Sequence, residues 1–123
     1  MAVVMSKITE QQKLIEIAAF VRHQGLSLRI RQQPARKERS NGWYLCDRIQ
    51  IYTQDRHTEA SVISALILHE YGHCVATRKL GVNHTEADAW AYAATAVPVK
   101  WRPSAFRQVR QESLASYREV GIK

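Results

Sequence analysis

His69-Glu70-Tyr71-Gly72-His73 is the stretch on which the reading of this chain turns. On a helix, positions i and i+4 lie on one face with their side chains stacked, so both imidazoles can reach a single metal ion without bending the backbone. Glu70 falls about 100° around the helix from His69, off that ligand line, and can address a water beside the ion. The window reads as helical on separate grounds. Val62, Ala65 and Leu66 recur at helical spacing, and Gly81 offers a left-handed stop. These signals predict a helix over residues 61–79, with Val62, Leu66, His69 and His73 along one stripe. Two surface histidines with no ligand would share the same spacing.

The pattern is HExxH, the arrangement of zinc hydrolases. Two histidines leave a tetrahedral ion short of one protein ligand besides a water, and that ligand must come from elsewhere in the chain. Glu86 is the first choice. It follows His73 by thirteen residues, beyond the Gly81 turn and near the start of a helix that can return antiparallel. Asn83 or Thr85 can cap that helix, which is expected to run to about Val97. If Thr85 is the cap, Asp88 completes a capping box and leaves Glu86 free for metal. Asp88 and His84 stay open as ligands, because a shift of helix start by one residue turns a different side chain inward. The longer HExxHxxGxxH pattern is excluded, since Ala76 and Lys79 stand where Gly and His are required. Gly72 costs the helix about 1 kcal/mol relative to Ala, which implies that another backbone or a substrate passes close by. Cys74 reads as a small buried side chain rather than a ligand.

Upstream, Leu14, Ile17, Ala18 and Val21 predict an amphipathic cover helix over residues 8–23, with Thr9 as N-cap and Gly25 past its end. The pattern then switches to alternation, with Leu26, Leu28 and Ile30 opposite Ser27, Arg29 and Arg31, which is a strand with one wet face. Residues 32–42 read as an exposed loop containing Pro34. Residues 43–46 and 49–53 read as two further strands joined by a turn at Asp47-Arg48, or as one uninterrupted strand. Pro98 and Pro103 bracket a break around Trp101. A last helix over residues 104–120 should turn Phe106, Val109, Leu114 and Tyr117 inward and stop at Gly121. The fold expected is α+β in a single domain over residues 1–123, a small, mostly antiparallel sheet packed with about four helices.

Bulk properties bound the function. At 123 residues, 46% hydrophobic and 24% charged, the chain fits one globular domain and not a disordered polymer. Its two cysteines, Cys46 and Cys74, make no disulfide framework, and residues 1–12 lack the basic lead and long apolar core of a signal peptide. A cytoplasmic location is expected, and no segment has the length to span a membrane. Eighteen Lys and Arg against eleven Asp and Glu give a net charge of +7. Arg29, Arg31, Arg36, Lys37 and Arg39 cluster around one strand and loop, which makes nucleic acid a conceivable neighbour, though no base-reading motif accompanies them.

Residues 69–98 carry His-Glu-Tyr-Gly-His, then Glu86-Ala87-Asp88-Ala89-Trp90-Ala91, then Val97-Pro98, and in this they resemble the ImmA/IrrE family of zinc metallopeptidases. The match covers about a quarter of the chain. Trp90 stands where phenylalanine is usual, and Val97 where methionine is common. The resemblance implies a zincin-like minimal metalloprotease core, Zn2+ bound by His69, His73 and Glu86, and Glu70 as general base. Relatives in that family are encoded by phages, mobile elements or stress-response loci, and some inactivate a DNA-bound repressor, so a protein regulator is the expected substrate. It would lie extended against residues 49–53, adding a strand, with Tyr92, Tyr52, His84 or Asp88 as candidates to support a metal ligand or to stabilise the oxyanion. The competing expectation is a non-catalytic regulator that uses the same fold to dock a repressor, toxin or DNA-associated partner.

Overall fold

A computed structural model describes residues 8–32, 42–45, 48–53 and 59–119. The first helix, α1 (Glu10–His23), begins where its sequence directs. Thr9 Oγ1 accepts from the Gln12 N–H at 3.1 Å while Gln12 Oε1 accepts from the Thr9 N–H at 2.8 Å, a reciprocal cap that satisfies two otherwise orphaned donors. Its buried face is Ile17, Ala18 and Val21, and the chain leaves it through Gly25 at φ +85°.

Three strands follow: β1 (Ser27–Gln32), β2 (Gly42–Leu45) and β3 (Arg48–Thr53). Their order is β1-β3-β2, so β3 is central. Ile49, Ile51 and Thr53 are accordingly buried. β2 and β3 are separate antiparallel strands with Leu45 paired to Arg48, which sets aside the uninterrupted strand. The mostly antiparallel sheet does not hold. β1 runs parallel to β3 over six registered pairs, against four antiparallel pairs between β2 and β3, and the sheet is mixed. Alternation reports which face a residue occupies and is blind to the direction of the neighbouring strand, so nothing in the pattern could show this. The wet face of β1 is as expected, with Ser27, Arg29 and Arg31 exposed, but Ile30 near its end is also 43% exposed.

The long helix α2 (Ala60–Leu80) packs against α1, β2, β3 and two later helices, α3 (Glu86–Thr95) and α4 (Phe106–Glu119). Helix α2 is buried on more than the one stripe expected of it. Ala65, Leu66, Ile67, Leu68, Cys74 and Ala76 point in several directions because neighbours surround it. It ends at Gly81, whose φ of +90° is open to glycine and strained for other residues. Between α3 and α4 lies a single 3-10 turn, Val99–Trp101, in the stretch bracketed by the prolines. The N-terminus of α4 is anchored by other helices: Ser61 Oγ accepts from the Ala105 N–H at 2.6 Å, and Glu10 accepts from the Ser104 N–H at 3.0 Å and its hydroxyl at 2.7 Å. Among the described residues no helix is long and apolar enough to cross a membrane. The loop around Pro34 with Arg36, Lys37 and Arg39, the Asp47 turn, Cys46, the first residues and the Gly121 stop lie outside the described residues, as do the side chains of Tyr52 and Tyr117.

Candidate metal centre

The site is assembled where α2 and α3 cross closely. An ideal Cβ built on Gly72 would stand 2.0 Å from the Ala89 carbonyl oxygen, so only a glycine lets the backbone of α3 lie against α2 at this point. Ala89 is one helical turn beyond Glu86, and Gly72 immediately precedes His73. The close approach therefore delivers the first residue of α3 to the histidine face of α2. Helix α3 starts at Glu86 because Thr85 caps it: Thr85 Oγ1 accepts from the Asp88 N–H at 3.0 Å, and Asp88 Oδ2 accepts from the Thr85 N–H at 2.9 Å. Asp88 is thereby spent on the cap, its carboxyl held below its usual range first by the Thr85 backbone N–H.

His69, His73 and Glu86 converge, each offering one donor atom, all within 4.8 Å of one another. His73 Nε2 lies 3.1 Å from His69 Nε2 and 3.0 Å from Glu86 Oε2, and Glu86 Oε1 is hydrogen-bonded to His69 Nε2. This arrangement could hold a metal ion. Its electrostatics favour positive charge. Burial works to lower the His69 pKa, but hydrogen bonds to Glu70 and Glu86, with their charges, outweigh it and push the value up to about 9. Burial also opposes ionisation of Glu86, and the hydrogen bonds and charges of His69 and His73 overcome it, holding the carboxyl far below the usual range. The pocket thus stabilises positive charge between a carboxylate and two rings.

Behind these groups sits a supporting layer. The His69 ring stacks on the fully buried Trp90 indole, centroids 4.3 Å apart and planes within 6°. Trp90 Nε1 donates to Ser113 Oγ at 3.1 Å, and that hydroxyl donates to Glu86 Oε1 at 3.2 Å. Ser113, on α4, links the last helix to the acidic donor. Sequence reasoning missed it, because a serine on a mostly polar helix carries no local mark of what it meets. Trp90 had a signal: an indole in place of a phenyl ring adds one N–H that needs an acceptor.

The remaining candidates are placed as follows. Glu70 is buried, 6% exposed, and lies outside the three-atom cluster, with Oε2 3.3 Å from His69 Nδ1. His84 stands behind His73 rather than among the donors, its Nε2 2.8 Å from His73 Nδ1. Tyr92, half-buried, follows Glu86 by six residues, which turns it roughly 240° around α3 from the carboxylate. Tyr52 is in the central strand β3, and its side chain lies outside the described residues. Cys74 is buried and lies outside the three-atom cluster. No family model, curated protein or solved structure matched the chain.

Proposed function

We propose that the protein is a zinc-dependent endopeptidase whose ion is held by His69, His73 and Glu86. One observation carries the reading: on helices joined by a capped turn, His73 Nε2 stands 3.1 Å from His69 Nε2 and 3.0 Å from Glu86 Oε2, and one donor atom of each residue lies within 4.8 Å of the others. Donors about 2.0–2.1 Å from a tetrahedral zinc ion are roughly 3.3 Å from each other, so the set needs little adjustment to bind. When bound, zinc supplies Lewis acidity toward a water and a substrate carbonyl. Glu70, adjacent to His69 and free of the ligand set, takes the proton of the attacking water and returns it to the leaving amine. The resemblance of residues 69–98 to the ImmA/IrrE metallopeptidases supports the same assignment, and with it a protein regulator, such as the repressor of a phage or mobile element, as substrate. Cytoplasmic action fits such a target. Exposed Arg29, Arg31 and Arg48 would favour substrates held on DNA without reading its sequence.

The expected docking strand needs correction. Residues 48–53 are paired with β1 throughout and residues 48–51 also with β2, so β3 lies between two strands and is not the edge of the sheet. Of the two edge strands, β2 is the one packed against α2, and an extended peptide is best placed along it.

A second reading has its own observation. The Glu70 carboxylate faces Nδ1 of His69, a position from which it orients a metal ligand without any hydrolysis. The protein would then be a metal-stabilised docking module. Substitution separates the two. Under the peptidase reading Glu70→Gln retains one zinc per chain and loses cleavage by roughly 10²–10⁴-fold, while Glu86→Ala loses the metal. Wild-type protein that binds zinc, cleaves neither casein nor candidate repressors, and retains a protein partner on a column would establish the docking reading instead.

A further inference from the structure

The turn between α2 and α3 carries a third imidazole that the ligand set leaves out. His84 Nδ1 lies 2.9 Å from the Gly81 carbonyl oxygen, and His84 Nε2 lies 2.8 Å from His73 Nδ1. The direction of these two bonds is fixed by elementary chemistry. A carbonyl oxygen can only accept, so His84 Nδ1 carries the proton and donates. A neutral imidazole has one donor and one acceptor nitrogen, so His84 Nε2 accepts and His73 Nδ1 must donate to it. With the Nδ1 proton committed to His84, the nitrogen of His73 that can offer a lone pair to an ion is Nε2, which is the nitrogen facing His69 Nε2 and Glu86 Oε2.

We propose that His84 is a positioning residue for the metal centre: by accepting the Nδ1 proton of His73 it fixes the tautomer and ring orientation in which His73 Nε2 is the ligand. The role rests on the reading that His69, His73 and Glu86 hold a metal. The turn is built to keep the ring in place. Gly81 ends α2, and its carbonyl accepts the His84 backbone N–H at 3.3 Å as well as the ring N–H, so both donors of one residue meet the two lone pairs of one oxygen. His84 is half-buried against His73, ring centroids 5.0 Å apart. The two ligand histidines are thus supported differently, His69 by the carboxylate of Glu70 and His73 by a neutral ring that ends on backbone.

Zinc affinity by chelator competition, together with 15N NMR of the imidazoles in the zinc-loaded protein, tests this on wild type, His84→Leu and His84→Gln. Wild type should show zinc on His73 Nε2 and a 15N–15N coupling across the hydrogen bond from His73 Nδ1 to His84 Nε2. His84→Leu should lose the slowly exchanging Nδ1–H signal of His73 and bind zinc roughly 10–100-fold more weakly. In His84→Gln the side-chain carbonyl reaches the place of Nε2 and accepts the same proton, and both signal and affinity should return. Equal affinities in wild type and His84→Leu, or zinc on His73 Nδ1, would overturn the role of His84 while leaving the metal site standing. Should His84→Leu fail to fold, absence of the coupling in wild type decides against it. Wild type that takes up no zinc overturns the metal reading itself.

Discussion

Gly72 shows how much of the site depends on a single hydrogen in place of a methyl group. In an isolated helix, Gly72→Ala would add about 1 kcal/mol of stability. In this molecule the new Cβ would collide with the Ala89 carbonyl, which belongs to backbone and cannot swing aside. We expect α3 to be pushed off α2, a net loss of about 1–3 kcal/mol in urea unfolding, and weaker zinc binding because Glu86 moves with α3. A variant more stable than wild type with unchanged metal affinity would show that the two helices do not need this contact. The requirement for a close approach at residue 72 was legible in the sequence, since a helix-weakening glycine sits inside an otherwise helix-forming run. What approaches it was not, because Ala89 is seventeen positions away and has no distinguishing chemistry.

At the level of elements, α4 reaches the acidic donor through the Ser113 hydroxyl, and its start is held by the Glu10 carboxylate and the Ser61 hydroxyl. Ser113→Ala would strand the Trp90 indole N–H in a buried setting and remove a hydrogen bond from Glu86. The expected costs are about 1–3 kcal/mol of stability and a roughly 10-fold drop in zinc affinity, read by denaturation and chelator competition. Glu10 ties α1 to the start of α4. Burial opposes its charge, but hydrogen bonds from the Ser104 N–H and hydroxyl, from Lys13 and from Ser61 prevail and lower its pKa from 4.5 to about 2. A depressed carboxylate contributes stability above its unfolded value, and the contribution disappears as pH falls through the folded one. Glu10→Gln should therefore be less stable than wild type by about 1 kcal/mol at pH 7, with the gap closing between pH 4.5 and 2. A gap that persists at pH 2 would mean the contact works through shape and not through charge.

For the molecule as a whole, the metal and the fold should stabilise one another, since the donors come from two helices that the unfolded chain does not hold together. Zinc at about 1,000 times its Kd should add roughly 4 kcal/mol to unfolding, visible as a rise in Tm that a chelator reverses. A Tm indifferent to zinc would place the ion, if bound at all, outside the α2–α3 crossing. The sheet would feel the metal least, because among the described residues its contact with the site's helices runs through α2.

The sequence by itself determined the local features. HExxH spacing put two imidazoles on one helix face, the Thr85-Asp88 cap released Glu86, and alternation in residues 26–31 marked a strand with an arginine face; each is a rule between residues a few positions apart. Tertiary structure alone decided the parallel pairing of β1, the central place of β3, the link from Ser113 to Glu86 and the position of Glu70 beside His69 Nδ1. The physical reason is common to all four. Periodicity encodes which face a side chain presents, whereas the identity and direction of the partner on that face are fixed only when distant segments pack, by contacts that leave no repeating trace along the chain.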